Sequence, residues 1–487
     1  MDVPSPTVTL SDAAAAVRAE VRDDDGRALT DAAYDSRTVR PGSVFFCIPG
    51  DREDGHRHAV EAVARGAAAL VVERWLLPDV PQARVRSVRD AIGPMSAIVF
   101  GNPSEQMATV GVTGTNGKTT CTYLLEAIFR AAGRAPGVIG TTGARIDGRP
   151  VPIERTTPEA PDLHRLLARM RDEGVRAVAM EVSSHALAQR RVGGVRFDVA
   201  VFTNLSQDHL DYHGSMDAYF DAKARLFTPE QAVLGVVGTD DAWGRRLVDL
   251  ATIPVVTCGT RPDADLRAVD VAVGPGGSTF RVDGVDVRTL LRGAFNVDNC
   301  LAALGAARAV GVDLDVAAAA VATVEEVPGR MEPIDAGQGF AVVVDYAHTP
   351  DSIRVVLRGA RSLAAGRVLV VFGCGGERDR AKRPAMGAAA TSSADLTVIT
   401  SDNPRSEDPL AIIDQIVSGA VRGGGRYLVE PDRRAAIRFA LHEARPGDVV
   451  VVAGKGHETT QEIDGSAVPF DDREVVRAEL AALGAGA

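Results

Sequence analysis

The last third of the chain sets the tightest limit on what it can fold into. Four short apolar runs, at residues 341–345, 368–372, 396–400 and 449–453, are separated by helical patterns at 351–363, 409–421 and 433–444. Apolar runs of this length between amphipathic stretches predict strands joined by crossover helices, and so a doubly wound α/β sheet. Each run leads into a polar motif: Asp345-Tyr-Ala-His-Thr-Pro350, Gly373-Cys-Gly-Gly-Glu-Arg-Asp379, Asp402-Asn-Pro-Arg405 and Gly454-Lys-Gly-His-Glu458. In an open sheet of this kind ligands bind beyond the carboxyl ends of the strands. Ordinary βα loops also collect Gly, Asp and Asn, but four such loops at one edge favour a ligand-binding rim.

At 487 residues the chain exceeds what one hydrophobic core serves, so several domains are expected. Three regions can be read, with boundaries at 1–105, 106–332 and 333–487. In the first, apolar runs at 44–48 and 67–72 are broken by Pro-Gly and Asp-Gly turns, and it closes on Gly101-Asn-Pro-Ser104. The second opens with an apolar run at 109–112, a glycine loop and a helical stretch at 119–132. Further runs at 177–182 and 199–203 predict more strands of a buried parallel sheet, and an Ala-rich helix is expected at 296–310.

A net charge of −11 gives no basic footprint for nucleic acid. Five scattered cysteines without a Cys-x-x-Cys pair suggest reduced thiols rather than a disulfide or zinc framework. Met1-Asp-Val-Pro-Ser-Pro6 lacks the charged-then-apolar pattern of a secretory signal, and no apolar run approaches a membrane span. The expectation is a cytoplasmic protein with no membrane insertion.

Of 54 Lys and Arg residues only four are lysine: Lys118, Lys223, Lys382 and Lys455. Each sits in a motif. A primary amine holds phosphate as a compact point charge and can be chemically modified, which a guanidinium cannot do in the same way. Chance retention explains any one of them but poorly explains all four, so the pattern points to an enzyme that handles phosphates. Val110-Gly-Val-Thr-Gly-Thr-Asn-Gly-Lys-Thr-Thr120 reads as strand, loop and helix. Backbone N–H groups of such a loop cradle phosphate, Lys118 reaches the outer phosphates and Thr119 suits Mg²⁺. The strict Gly-x4-Gly-Lys spacing fails, because Val112 stands where the first glycine belongs. Glu181, ending one predicted strand, could bind Mg²⁺. Asp208 and His209 follow the next strand; a lone His is more often structural, but one beside acids and near a rare lysine is a better candidate.

Gly114–Thr120, Glu181-Val-Ser-Ser-His185, Asn204-Leu-Ser-Gln-Asp-His-Leu-Asp-Tyr-His-Gly214, Ala222-Lys-Ala-Arg-Leu-Phe227 and Gly329-Arg-Met-Glu332 together resemble the Mur ligases of peptidoglycan synthesis, in order and over nearly the whole chain. The resemblance implies an N-terminal α/β UDP-sugar domain, a central P-loop-type parallel-sheet ATPase domain and a C-terminal Rossmann-like α/β domain. It implies ATP-driven amide formation through an acyl phosphate, joining meso-2,6-diaminopimelate to UDP-MurNAc-L-Ala-D-Glu. Carried over, it gives Gly114, Thr115, Asn116, Gly117, Lys118, Thr119 and Thr120 to ATP. Asn296 falls at the adenine, and Arg330, Asp345 and His348 near the phosphates. Thr119, Glu181, His209 and Lys223 fall to Mg²⁺, Lys223 as the carbamate formed with CO2. Lys118, Glu181, His209 and Lys223 form the catalytic set. Ser36 is implied at the sugar nucleotide, beside a loop Gly50-Asp-Arg-Glu-Asp-Gly55 in which Asp51, Arg52 and Glu53 depart from the family's usual residues. Thr156, Thr157, Ser183, Gln189 and Arg191 are implied at the muramoyl-dipeptide. Arg378, Asp402, Asn403, Pro404, Arg405, Gly454 and Glu458 are implied at the incoming amino acid. The Asp-Asn-Pro-Arg form is similar to that of diaminopimelate-adding members, and arginine suits the distal carboxylate that lysine lacks.

Three other readings stand beside this one. A ligase adding L-lysine is disfavoured by Arg405. A folylpolyglutamate-synthase-like ligase is disfavoured by the Asp402–Arg405 loop and by Asp35-Ser-Arg37 in the first region. A nucleotide-dependent switch would hydrolyse ATP steadily with no amino acid present.

Overall fold

Three largely parallel sheets follow one another along the chain in the computed structural model, which describes residues 8–50 and 53–485. The segment Met1–Pro6 and the loop residues Asp51 and Arg52 lie outside the described residues. The first sheet orders Glu20–Arg22, Gln82–Arg84, Ala69–Val72, Ser43–Phe46 and Asp31–Ala33, parallel except at the Glu20–Arg22 edge. Ser43–Phe46 and Ala69–Val72 are buried at every position. That double-sided burial is why they read as unbroken apolar runs rather than as alternation.

The central sheet has nine strands. Ala108–Thr113 lies in its middle, flanked by Phe197–Phe202 on one side and Ala177–Glu181 on the other. The chain leaves Thr113, turns through Gly114–Gly117 and enters the helix Lys118–Ala131. Leu124, Leu125, Ile128 and Phe129 form that helix's buried stripe. This sheet corrects the expectation of a purely parallel layer. Gly143–Ile146 and Arg149–Val151 add an antiparallel edge, and a separate antiparallel sheet of Val269–Gly274, Gly277–Val282 and Val285–Thr289 follows. Those strands are half-exposed and interrupted by Asp, Arg and Gly, so no apolar run marks them.

The third sheet begins with Glu332–Pro333, antiparallel to Ala341–Asp345. Val449–Ala453, Val368–Phe372, Leu396–Ile399 and Tyr427–Val429 continue it, all parallel. The last strand to form in chain order, Val449–Ala453, thus inserts beside the first. Its Gly454 loop is brought between the loops after Asp345 and Phe372, and Asp402 follows at the next strand. Tyr427–Val429 was not anticipated; it is an exposed three-residue edge strand.

The regions meet through specific contacts. Tyr34 donates to Asp162 at 2.9 Å, and Arg165 donates to Asp31 and to the Ala32 carbonyl across the first junction. At the second, Val327 is buried in the central core while Gly329 already accepts from Tyr346 N at 2.8 Å. The crossover is therefore confined to the residues around Pro328, slightly ahead of the boundary read at 332/333, so Arg330 goes with the third region. No helix among the described residues is long and apolar enough to cross a membrane.

Candidate active site

A cavity of about 610 Å³ opens at the carboxyl ends of the central strands, closed on its far side by residues of the third region. Its floor is the glycine loop. Gly114 (φ +141°) and Gly117 (φ +89°) take backbone angles that side chains rarely adopt. A Cβ would strike Thr203 Oγ1 at 2.0 Å in the first and Asn299 Oδ1 at 2.2 Å in the second. The loop is pinned from the neighbouring strand: Asn116 N donates to Asn204 Oδ1 at 3.0 Å, and Ser206 N to Thr115 Oγ1 at 3.0 Å. Val112, which breaks the strict spacing, is a buried strand residue paired with Glu181.

Lys118 Nζ donates to the carbonyls of Gly114 and Thr115 at 2.9 and 2.8 Å, and burial lowers its pKa against the pull of Glu181. Thr119 Oγ1 donates to Glu181 Oε1 at 2.9 Å, and Thr141 N and Oγ1 hold the two oxygens of the same carboxylate. Thr120 is buried and lines the cavity. Arg330 crosses from the third region and donates to Thr119 Oγ1 at 3.1 Å, its guanidinium stacked 4.7 Å from the Tyr346 ring centre. Asp345 also lines the cavity, with both oxygens accepting from backbone, Met331 N at 2.7 Å and Ala347 N at 2.8 Å.

Lys223 is 1% exposed and lies over the Tyr219 ring at 4.7 Å. Burial, reinforced by nearby Lys118, holds its amine well below the ordinary lysine range, which favours the uncharged form. His209, in a left-handed conformation (φ +54°), has Nε2 3.3 Å from Asp208 Oδ2. Burial pushes its pKa down to about 3, which leaves a neutral imidazole able to ligate metal.

Asp208 is the residue sequence reasoning placed nearby but did not assign. Its carboxylate faces His348 Nε2 and Lys382 Nζ of the third region, both at 3.6 Å, as well as His209. Burial alone would raise its pKa, but His348, His209 and Lys382 outweigh that and hold it well below the usual carboxylate range. The rare lysine Lys382 thus faces the central region. No three His, Cys, Asp or Glu side chains among the described residues are grouped so as to hold a metal ion by themselves. A cation here would rest on hydroxyl and phosphate oxygens as well, which suits Mg²⁺.

Asn296, implied at the adenine, is not among the residues lining the cavity. Asn296 is buried away from the cavity, donating to the Arg292 carbonyl at 2.7 Å and accepting from Asn299 Nδ2 at 2.9 Å. From this helix the cavity is lined by Phe295, Asp298, Asn299, Leu301 and Ala302, of which Asp298 and Asn299 are the polar ones. The helix period decides this: three residues on from Asn296, the chain returns to the same side one turn nearer the loop.

Thr156 and Ser183 line the cavity next to the phosphate loop, and Thr157 Oγ1 donates to the Glu181 carbonyl at 2.9 Å. Arg191 donates to Gln189 and to Thr157 O, and lies 2.9 Å from Glu159. Ser36 is not at this cavity; its hydroxyl donates to Glu61 at 2.8 Å in the first region.

The rim residues of the third sheet form a second cluster. Asn403 Nδ2 donates to Glu458 Oε2 at 2.8 Å, and Gly454 (φ +116°) leaves room for Asp402, whose Oδ2 a Cβ there would meet at 2.5 Å. Arg405 Nη1 donates to the Gly376 carbonyl at 2.6 Å. Arg378 is exposed, with Nη1 directed at the Glu377 carbonyl. Lys455, the fourth rare lysine, is completely buried and donates to Asn403 Oδ1, Glu458 Oε2 and the Thr460 carbonyl. Glu458 and Thr460 are close in sequence, but Asn403 comes from the loop after another strand, and spacing alone does not show that contact.

Three family descriptions match successive segments: Mur ligase family, catalytic domain, over residues 32–93; Mur ligase middle domain over 112–307; and Mur ligase, glutamate ligase domain, over 329–456. A UDP-N-acetylmuramoyl-L-alanyl-D-glutamate–2,6-diaminopimelate ligase of Streptomyces avermitilis is 48% identical, covering 92% of each chain. The chain belongs to the Mur ligase family. A ligase of the same name from Geobacillus thermodenitrificans is 47% identical over 92% of this Mur ligase and 94% of its own length. Among solved structures, one of a UDP-N-acetylmuramoyl-L-alanyl-D-glutamate–2,6-diaminopimelate ligase is 35% identical with a TM-score of 0.70, covering 98% and 99% of the two chains. A MurF ligase from Thermotoga maritima in complex with ADP shares the fold at 20% identity and a TM-score of 0.64, covering 93% and 99%.

Proposed function

We propose that this Mur ligase uses ATP to join meso-2,6-diaminopimelate to UDP-MurNAc-L-Ala-D-Glu in peptidoglycan synthesis. The observation that carries the reading is the convergence of Lys118, Thr119, Glu181, His209 and Lys223 from the central region with Arg330, Asp345 and His348 from the third around one cavity. A carboxylate of the D-glutamyl residue attacks the γ-phosphorus of ATP, forming an acyl phosphate and releasing ADP. The amine of diaminopimelate then attacks the acyl carbon; phosphate leaves, and the amine loses a proton as the amide forms.

The chain's part is to position and to neutralise charge. Lys118 and the loop N–H groups hold the phosphates, and Arg330 covers them from the third region. Asn299, held by Asn296, and Asp298 are assigned to the base and ribose end. Thr156, Thr157, Ser183, Gln189 and Arg191 present the dipeptide beside the phosphate loop. Ser36, which does not line the cavity, is assigned to the uridine-diphosphate end. The Thr119 hydroxyl and Glu181 carboxylate, 2.9 Å apart, are a hard-oxygen pair suited to Mg²⁺. Mg²⁺ bound there would neutralise charge on the transferring phosphoryl group. Lys223 as an ammonium would repel a second cation. As a neutral amine its Nζ adds to CO2, an N–C bond forms and one proton leaves, giving an anionic carbamate near His209. The Asp402–Arg405 and Gly454–Glu458 loops take diaminopimelate, with Arg405 on the distal carboxylate and Glu458 on an ammonium group.

The test is ADP release with the muramoyl-dipeptide nucleotide and a panel of amino acids. Release that depends on both the nucleotide and meso-diaminopimelate is expected. Steady hydrolysis without amino acid, or glutamate as the preferred amine, overturns the reading.

A further inference from the structure

The third-region pocket holds two glutamates that are fixed in different ways. Glu458 is committed: its Oε2 accepts from Asn403 Nδ2 at 2.8 Å and from the buried Lys455 Nζ at 3.1 Å. Glu462 is not. It stands on the short hairpin formed by Thr460–Ile463 and Ser466–Pro469, its side chain 45% exposed, and among the described residues its one ionic partner is Arg405, Nε to Oε2 at 3.1 Å.

The backbone makes this pairing a built arrangement rather than a chance surface contact. Arg405 N donates to the Glu462 carbonyl at 3.0 Å, and Asp464 N donates to the Arg405 carbonyl at 2.8 Å. Glu462 N donates to Asn403 Oδ1 at 3.0 Å. Arg405 itself sits at φ +55°, a left-handed conformation held in place by these bonds. The hairpin therefore fixes the Glu462 backbone beside Arg405, which keeps its carboxylate within reach of the Nε edge of the guanidinium.

We propose that Glu462 is an internal competitor for Arg405 and thereby sets how strongly the pocket takes, and how sharply it selects, the distal carboxylate of the incoming amino acid; this rests on the diaminopimelate reading above. With Nη1 engaged on the Gly376 carbonyl, the Nε side is the edge on which a ligand carboxylate obtains two parallel bonds, and Glu462 occupies it. Binding diaminopimelate then exchanges one carboxylate for another. A lysine ammonium at the same place meets Glu462 as well as Arg405, so Glu462 softens the charge barrier against lysine. Glu462 raises the KM for diaminopimelate and narrows the preference over lysine.

The experiment compares Glu462→Gln, Arg405→Ala and the double variant, measuring kcat and KM for meso-diaminopimelate, L-lysine and ATP. Glu462→Gln removes the charge at a half-exposed site and leaves all three backbone bonds of the hairpin intact. Exposed ion pairs are worth little, so the KM for diaminopimelate should fall by about two- to fivefold. Use of L-lysine should fall, the KM for ATP should not move, and the effect should vanish in the Arg405→Ala background. An unchanged KM for diaminopimelate in Glu462→Gln overturns the competitor role, and so does a raised one, which would mean that Glu462 orients Arg405. If Arg405→Ala keeps the wild-type KM, the pocket itself has been misassigned, and that failure is distinguishable from the first.

Discussion

Lys118 Nζ and Lys223 Nζ both donate to the carbonyl oxygen of Gly114, each at 2.9 Å. Two ammonium groups on one buried acceptor would repel, and the charge of Lys118 adds to burial in lowering the Lys223 pKa. Burial, and then this neighbour, push the Lys223 amine toward its neutral form, which is the form that reacts with CO2.

Replacing Lys223 by arginine keeps the length of the side chain but puts a fixed positive charge where an amine able to add CO2 stood. Lys223→Arg should lose activity by about a hundredfold or more, the scale seen when one electrostatic group of an active site is removed. Lys223→Ala should regain part of its rate with short carboxylic acids supplied in solution. Wild-type turnover by Lys223→Arg would reject the carbamate.

Removing the neighbouring charge should act on Lys223 in the opposite sense. In Lys118→Met the amine of Lys223 becomes more basic, so at fixed pH near neutrality less of it is free to trap CO2. Carbon-13 NMR with labelled bicarbonate should show a smaller carbamate signal than in wild type. An equal signal would mean that burial alone sets the state of Lys223.

The crossover around Pro328 is narrow. Gly329 has φ +65°, and a Cβ there would lie 2.2 Å from His457 N. Gly329→Ala should misplace Arg330 and the Gly454–Glu458 loop together. The expected outcome is a cooperative loss of about 1–3 kcal/mol in stability, as for other strained positions, with a lower kcat. Scattering of the wild type should show a more compact particle with ATP analogue and both substrates; identical compactness would speak against closure about this point.

Arg405→Ala should reduce kcat/KM for diaminopimelate far more than it affects ATP. A site built to pair a carboxylate rejects the analogue lacking it by about 10⁴–10⁵, so wild-type enzyme should use L-lysine very poorly. Comparable turnover of both amino acids would show that the loop does not read the distal carboxylate.

Acid stability depends on buried histidines. His164 is fully buried, its Nε2 donates to the Gly193 carbonyl at 2.9 Å, and burial pushes its pKa down to about 4 from 6.5. The unfolded chain binds this proton near pH 6.5 and the native protein only near pH 4. Its contribution is therefore intact above about pH 6.5 and shrinks as the pH falls toward 4, by about 3 kcal/mol in all. His164→Gln should flatten the fall of unfolding free energy between pH 6.5 and 4.5 by up to one proton. An unchanged slope would place the acid sensitivity elsewhere.

Strands buried on both faces, such as Ala177–Glu181 and Val449–Ala453, were legible because continuous apolar runs have no other use in an acidic, water-exposed chain. The antiparallel strands Val269–Thr289 were not, because one exposed face breaks the run with Asp and Arg. Motif residues that act through their own loop, Gly114–Thr119 and Asp402–Arg405, were likewise readable, since spacing alone fixes which groups share a turn.

Sequence by itself determined the strand–loop–helix order, the phosphate loop and the four lysines worth asking about, because local propensity and covalent spacing specify those. Only the tertiary structure decided that Lys118 and Lys223 share one carbonyl, that Asp208 faces His348 and Lys382, that Asn299 and not Asn296 reaches the cavity, and that Glu462 sits on Arg405. These partners are separated by tens to hundreds of residues along the chain. Their meeting depends on strand order and on the way one region closes over another, and nothing in the spacing of a single segment encodes that.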